Sequence, residues 1–261
     1  MQQLLTEGTD KFGEPNFEAQ ATWADSIRDS DRPNGPNYAR YRAWHWINIP
    51  LSAADSYQDA RAAEAPLCPY PRLGGLSSAG PAEDCIVDKI EQFEAELANP
   101  ATVESEKVLA LRYLVHLVGD VHEPMQTIDD NDRGGSCVFV TSADGLTTTL
   151  QGYWSNNLPR LTTNGATPRA AAAMLDGQIP SAESAGWLVF DPAGWAAESA
   201  NIARYTAYDL GGTQLPTCEH RNSKAPIPLS VAYQAGAVAA TKLQIEKAGV
   251  RLAYLLNKAL P

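Results

Sequence analysis

The chain has no apolar run that approaches the roughly 20 residues of a membrane-spanning helix, so we expect no membrane partner. Positive charge is also scarce, because 20 lysines and arginines stand against 31 aspartates and glutamates, which gives a formal net charge of −11. Phosphate backbones are held by positive charge. Binding of nucleic acid over the whole surface is therefore excluded, and any such binding must be local, short or assisted by a metal.

Features that would divide the chain are missing as well. The 261 residues show no repeat, low-complexity tract or abrupt change in composition, and 44% hydrophobic residues are enough to bury a full-sized core. We therefore expect one domain over residues 1–261. The first twelve residues have neither the basic start nor the apolar core of an export signal.

Cysteine is scarce, and the four cysteines allow three complete pairings between which the residues do not choose. Cys68 and Cys218 lie near proline in loop-like segments, which suits a long-range disulfide. Cys137 lies in the apolar run CVFV, which favours a buried thiol.

Helical periodicity dominates the rest of the chain. Apolar residues recur at helical spacing in two neighbouring segments, namely Ile86, Ile90, Phe93 and Leu97, then Val108, Leu111, Leu114, Val115 and Val118. Further helices are predicted over 192–208 and 231–257, the second weakened by Gly249. Residues 136–140 and 146–150 flank a Ser-Ala-Asp-Gly turn and predict one hairpin. The pattern indicates a mainly α fold with one small β-hairpin.

Three segments rich in Pro, Gly, Ser or Asn are predicted loops: 31–37, 65–80 and 210–228. Residues 129–135 have the composition of an acidic calcium loop. Their spacing departs from the EF-hand pattern, so a solvated turn is the favoured interpretation.

The first candidate for chemistry is a pair at i and i+4. His116 and Asp120 lie near the end of a predicted helix, and this spacing places both side chains on one face, where they can share a metal ion. A histidine packed in the core beside a helix-end aspartate explains the pair equally simply.

Two further segments carry similar candidates. Asp25 lies in the short helical segment ATWADSIRD, whose apolar side is anchored by Trp23. His45 lies between Trp44 and Trp46, where a hydrogen-bonded core histidine is the competing interpretation.

These segments, in this order, resemble the single-strand-specific zinc nucleases of the S1/P1 type. The motifs that carry the resemblance are Trp23-Ala24-Asp25 with Arg28, His45-Trp46-Ile47-Asn48, His116 to Asp120 followed by HEPMQ, DRGG at 132–135, Trp195-Ala196, and LQIEKAGVRLAYLLN. The resemblance extends over nearly all of the chain after about Ala19. It implies a multi-helix fold shared with zinc-dependent phospholipase C.

The resemblance also implies roles for individual residues. In that family three zinc ions line a cleft, and the positions matching the ligands of the first are Asp25, His45, His116 and Asp120, of which Asp120 also bridges to a second ion. Arg28 matches the arginine that faces the scissile phosphate, so Asp25 and Arg28 are the expected catalytic residues. Trp46 matches a base-stacking position and Asn48 a contact to the base edge. A core tryptophan and a solvated helix arginine remain the alternatives.

Departures from the family pattern concern the other two zinc ions. Gln126, Gln151 and Ser155 stand where the family has ligands of one ion, and a neutral amide or hydroxyl is a poor zinc ligand. The amino-terminal tryptophan and histidine that hold another ion are missing, and most of the family's first helix with them, so we expect either a truncated start or a lost site. One zinc ion is predicted. His122 and Glu123 are weak candidates for a replacement ligand or general base, because a helix would turn them away from His116 and Asp120.

Two functions compete. The first is zinc-dependent hydrolysis of single-stranded RNA or DNA by an endonuclease that also acts as a 3′-nucleotidase. The second is a catalytically impaired relative in which one structural zinc supports a nucleotide- or protein-binding module. A phospholipase-like hydrolase is weaker, because no basic amphipathic helix faces a membrane.

The resemblance implies further properties of the whole protein. The expected partners are single-stranded nucleic acid or nucleotides, and the expected state is a monomer. Secretion or a periplasmic location is implied, together with a Cys68–Cys218 disulfide that leaves Cys85 without a near partner.

Overall fold

Helices form most of the protein, as the periodicity predicts. The computed structural model describes residues 17–52, 84–212, 215–220 and 225–260. Within these ranges the α-helices are α1 (Phe17–Gln20), α2 (Trp23–Asp29), α3 (Pro36–Tyr41), α4 (Ile86–Ala98), α5 (Glu104–Val121), α6 (Leu150–Gly152), α7 (Leu158–Thr162), α8 (Pro168–Asp176), α9 (Ser181–Ser184), α10 (Pro192–Ile202) and α11 (Val231–Ala259). The mainly α fold is confirmed.

The predicted long helices are found at the expected places. Helices α4 and α5 bury the two apolar faces that the sequence marks. Helix α10 continues through a π-helical turn, Ala203–Ala207, and so accounts for the prediction over 192–208. Helix α11 runs through Gly249 without a break. No helix was predicted between residues 150 and 176, and here the structure adds α6, a π-helical turn (Tyr153–Asn157), α7 and α8.

The strands are short: β1 (Ile49–Pro50), β2 (Ile128–Asp129), β3 (Phe139–Thr141), β4 (Thr147–Thr149) and β5 (Ile227–Pro228). The antiparallel pairing of β3 with β4 confirms the hairpin, although each strand is shorter than predicted. The parallel pairs β1–β2 and β3–β5 were not predicted. Strands β1, β2 and β5 have two residues each, which is too short to show the alternation of apolar and polar residues that marks a strand.

Two groups of buried side chains form the core. The first joins α2, α4, α5, α10 and the end of α11 around residues such as Trp44, Phe93 and Leu114. The second surrounds the hairpin and includes Met125 and Trp154. Residues 116–126 pass from the first group to the second, so their side chains lie where the two groups meet.

The disulfide pairing differs from the expectation. Cys218 is bonded to Cys137, with the Cα atoms 5.0 Å apart, so the Cys68–Cys218 pairing and the free thiol at Cys137 were both wrong. Cys85 is disulfide-bonded too, which contradicts the expectation that it lacks a partner. The thiol prediction failed because an apolar run can surround a disulfide-bonded cysteine as well as a free one. The pairing failed because spacing along the chain does not show which cysteines come close enough to bond.

The acidic segment 129–135 forms a turn, as favoured over a calcium loop, but the turn is not solvated throughout. Asp132 is 1% exposed and accepts hydrogen bonds from Gly135 N and from the Tyr208 hydroxyl. Asp129 accepts from the backbone amides of Asp132 and Gly134. The carboxylates therefore close the turn from within.

Two other expectations concern loops and membranes. The predicted loop 65–80 lies outside the described residues, and α3 begins inside the predicted loop 31–37. Among the described helices, none combines the length and apolarity that crossing a bilayer requires.

The two tryptophans around His45 are expected to respond differently to truncation. Trp44 is fully buried and packs edge to face on Phe93 and Tyr113, so Trp44→Ala should lower the free energy of unfolding by about 3–5 kcal/mol. Trp46 is only half-buried, and Trp46→Ala should cost clearly less. Urea unfolding of both variants measures the difference, and equal losses would contradict the assignment of Trp44 to the core.

Candidate metal centre

Helix α2 presents two charged side chains on the face opposite its core contacts. Trp23 and Ala24 are buried, which leaves Asp25 and Arg28 on the open side, one turn apart. Arg28 Nη1 lies 2.6 Å from Asp25 Oδ1. The Arg28 Nε and Nη2 groups donate to the two carboxylate oxygens of Asp29 at 2.8 and 2.9 Å. Two carboxylates therefore hold the guanidinium in one orientation.

His45 closes a 3₁₀ turn, Arg42–His45, whose buried residues include Trp44. The imidazole is 1% exposed. The following residues are fixed by backbone pairing, because Ile47 N donates to Gln126 O at 2.9 Å and Ile49 N to Thr127 O at 3.1 Å. This pairing places His45 beside the end of α5.

His116 and Asp120 project together from the last turns of α5. His116 Nδ1 donates to the carbonyl of Ala21 at 2.6 Å, and because a carbonyl only accepts, this contact fixes the proton on Nδ1. When the ring is neutral, the lone pair of Nε2 therefore points away from Ala21. Asp120 Oδ2 lies 2.9 Å from that Nε2 atom.

The four predicted side chains converge, and we call Asp25, His45, His116 and Asp120 the candidate metal cluster. His45 Nδ1 lies 2.9 Å from Asp120 Oδ2, 3.1 Å from His116 Nε2 and 3.7 Å from Asp25 Oδ1. His116 Nε2 lies 3.5 Å from Asp25 Oδ1. Asp25, His45 and His116 offer ligand atoms within 4.8 Å of one another.

The electrostatics of the cluster favour positive charge at its centre. Burial opposes ionisation of Asp120, but His116 and His45 outweigh burial and hold the pKa of Asp120 well below its usual range. Burial likewise opposes protonation of His116, yet Asp120 and Asp25 raise its pKa well above the ordinary value. Burial lowers the pKa of His45 despite Asp120. Two carboxylates thus draw a cation, either a proton or a metal ion, to the imidazoles.

The donor atoms fit one zinc ion. Nitrogen and oxygen ligands about 2.0–2.1 Å from a tetrahedral zinc lie roughly 3.3 Å from one another, and the separations between the imidazole nitrogens and their neighbours in the cluster, 2.9–3.7 Å, fall around that value. Two carboxylates and two neutral imidazoles also balance the charge of a divalent ion.

The positions that the resemblance assigns to a second zinc site carry side chains that do not suit that ion. Gln126 lines two cavities, whereas Gln151 lines only one of them and Ser155 only the other. Amide and hydroxyl groups replace imidazole and carboxylate, and the three residues do not share one cavity. Zinc prefers ligands that these side chains lack.

A cavity of about 580 Å³ opens beside the cluster, and we call it the arginine-lined cavity. His45, Trp46 and Asn48 contribute to its wall, so the residues predicted to contact a base lie next to the candidate metal cluster. Its arginines are Arg28, Arg32, Arg42 and Arg133.

His122 and Glu123 have different surroundings. His122 Nδ1 donates to Val118 O, and Nε2 accepts from Arg251 Nη1, both at 2.7 Å; burial lowers its pKa to about 3. His122 is therefore a neutral core residue. Glu123 lines a second cavity, of about 380 Å³, with Asp25 and Asp120, and burial raises its pKa to about 8. The expectation that Glu123 turns away from these residues was therefore wrong, because the chain leaves the helix at Val121.

Sequence reasoning did not identify Arg32, Arg42 and Arg133 as neighbours of the site. Arg32 stands four residues after Arg28, but α2 ends at Asp29, so helical spacing did not place both arginines on one face. No local pattern connects Arg133 to Arg42, because a turn between β2 and β3 brings them to one cavity.

Comparison with known proteins agrees with this geometry. The family model described as S1/P1 Nuclease matches residues 1–261. Nuclease S1 of Aspergillus oryzae is 28% identical over 161 residues, which cover 60% of this chain and 46% of that protein. The match thus spans about half the length of the curated relative.

Proposed function

Because the chain belongs to the S1/P1 nuclease family, we propose that it hydrolyses phosphodiester bonds of single-stranded RNA or DNA, and terminal 3′-phosphates of nucleotides. The observation that carries this proposal is the meeting of Asp25, His45, His116 and Asp120, with Arg28 beside Asp25. Together they provide a cation site next to a fixed positive side chain.

One zinc ion is the proposed cofactor, held by the candidate metal cluster. When bound, zinc supplies a Lewis acid that polarises a phosphoryl oxygen and acidifies water. The chain prepares the site for it through the Ala21 carbonyl, which holds His116 Nε2 toward the other donors. Asp120 contacts both imidazoles and keeps them together.

Arg28 is the proposed phosphate-binding residue. A guanidinium has five N–H groups, and three of these point at carboxylate oxygens of Asp25 and Asp29. The remaining two are available to nonbridging oxygens of a phosphate. Because the guanidinium is already oriented, little ordering is needed when charge builds up on the phosphate.

Trp46 and Asn48 are the proposed base contacts. Both line the cavity that holds Arg28, and Trp46 follows the buried turn that ends at His45. A base that stacks on an indole ring must be unpaired, because in a duplex both of its faces are covered by neighbouring bases. Preference for single strands follows from this geometry.

Hydrolysis of one oligonucleotide, free or in a duplex, tests the proposal. Zinc-supplemented protein should release nucleotides from the single strand much faster, and Trp46→Ala should raise KM about 5- to 150-fold, since stacking contributes roughly 1–3 kcal/mol per base. Trp46→Phe should retain most of the affinity. Failure to cleave any single strand would exclude the nuclease assignment.

A second candidate function is a nucleotide- or protein-binding module with one structural zinc. It is favoured by Gln126, Gln151 and Ser155, and by the fact that four protein ligands describe a closed zinc site unless coordination expands. This candidate predicts zinc retention and nucleotide binding in calorimetry without turnover.

Export from the cytoplasm is also proposed. The Cys137–Cys218 disulfide and the bonded state of Cys85 support it, because disulfides persist in oxidising compartments.

A further inference from the structure

The arginine-lined cavity concentrates positive charge on a protein that carries a net charge of −11. Among the residues that the structure describes, four arginines and one carboxylate, that of Asp129, line it. That carboxylate already accepts hydrogen bonds from two backbone amides in its own turn. The cavity is thus a local exception to the acidic surface, of the kind that binding a polyanion requires.

The four arginines differ in whether a carboxylate already pairs with them. Arg28 is held by Asp25 and Asp29. Arg32 lies 3.7 Å from Asp29 Oδ2 and above the ring of Tyr38. Arg42 and Arg133 are exposed and form no ion pair within the part of the chain that the structure describes. Two uncommitted guanidinium groups therefore face one cavity.

The backbone fixes the positions of Arg42 and Arg133 at the edge of this cavity. Arg42 begins the 3₁₀ turn that ends at His45, so it is tied to the candidate metal cluster. Arg133 lies in the turn closed by Asp129 and Asp132, and the next residue, Gly134, has φ +57°; a Cβ there would lie 2.5 Å from Met125 O. Only glycine permits this approach, which holds Arg133 against the segment leading to Gln126.

We propose that Arg42 and Arg133 bind a second phosphate, one that is not cleaved, next to the phosphate that Arg28 contacts. The favoured ligands are therefore nucleotides and oligonucleotides with at least two phosphates. This inference rests on the proposed function for the position of the cleaved phosphate. Planar guanidinium groups suit phosphate because they donate two parallel hydrogen bonds.

Binding of small ligands tests the proposal without turnover. Calorimetry on the zinc-supplemented full chain should show that a non-hydrolysable phosphonate analogue of thymidine 3′,5′-bisphosphate binds about tenfold or more tightly than the corresponding analogue of either thymidine monophosphate, because charge-assisted hydrogen bonds contribute roughly 1.5–3 kcal/mol. The double variant Arg42→Gln/Arg133→Gln should lose this advantage. Arg169→Gln, which removes an exposed arginine on α8, should keep it.

Hydrolysis gives an independent readout. A dinucleotide with an added terminal phosphate, tested at the 5′ and 3′ ends separately, should be cleaved with a higher kcat/KM than the unmodified dinucleotide at one of the two ends. The double variant should lose this difference in kcat/KM between the two dinucleotides. For longer strands, KM of the double variant should also depend less on salt than KM of the wild type. The slope of log KM against log salt concentration should fall by about 0.7 for each lost phosphate contact.

The outcomes separate the two proposals. If the bisphosphate shows no advantage in the wild type, or keeps it in the double variant, the second phosphate site is overturned even when cleavage proceeds. If the advantage depends on Arg42 and Arg133 but no substrate is cleaved, the site stands and the nuclease proposal fails. Thermal melting and zinc content confirm that the variants are folded.

Discussion

Replacing Arg28 with glutamine should lower kcat/KM for single-stranded oligonucleotides by about two to three powers of ten, the typical cost of removing one preorganised group that stabilises transition-state charge. The loss should fall mainly on kcat, since the extra negative charge exists only in the transition state. Steady-state kinetics on a zinc-supplemented variant measures it.

The control is Arg28→Lys, which keeps the charge but not the planar fork that Asp25 and Asp29 hold. We expect an intermediate rate and an unchanged zinc content in both variants. If Arg28→Gln cleaves at the wild-type rate, Arg28 is only a surface residue of α2 that pairs with its neighbours.

Replacing Asp120 with asparagine should remove both the bound zinc and the hydrolysis. Asp120 Oδ2 lies 2.9 Å from each imidazole of the cluster, and the amide removes one of the two negative charges that balance the ion. Loss of a ligand typically costs more than the 10–100-fold in metal affinity that an outer-shell change costs. Metal analysis after dialysis and an activity assay on the same sample measure the two losses together.

Glu123→Gln is the matched control, because Glu123 lines a cavity with Asp120 yet lies outside the candidate metal cluster. It makes the same chemical change three residues away, and it should retain the zinc. Equal zinc loss in both variants would show that any carboxyl-to-amide change in this region, rather than loss of the ligand at Asp120, releases the ion.

The parts of the fold that follow a long local pattern were predictable. Helices α4 and α5 repeat apolar residues over three or more turns, and α11 does so across Gly249 because packing outweighs the cost of one glycine. The two-residue strands β1 and β2 have no such pattern. They depend on a contact between segments almost 80 residues apart, Ile49 with Ile128.

The candidate site was predictable for a different reason. His116 and Asp120 share a helix face, but their meeting with Asp25 and His45 was expected from the ordered motifs and not from any spacing. The cysteines show the limit of such reasoning, because the resemblance favoured Cys218 with Cys68 and the structure pairs it with Cys137. Arg42 and Arg133 escaped notice because their relation arises only from the folded turn between β2 and β3.

The zinc content of the wild-type protein, measured after exhaustive dialysis against metal-free buffer, tests most directly whether the cluster holds a single ion. We expect one zinc per chain. About three would show that the residues around Gln126, Gln151 and Ser155 still form metal sites, and none would show that Asp25, His45, His116 and Asp120 meet for a reason other than metal binding.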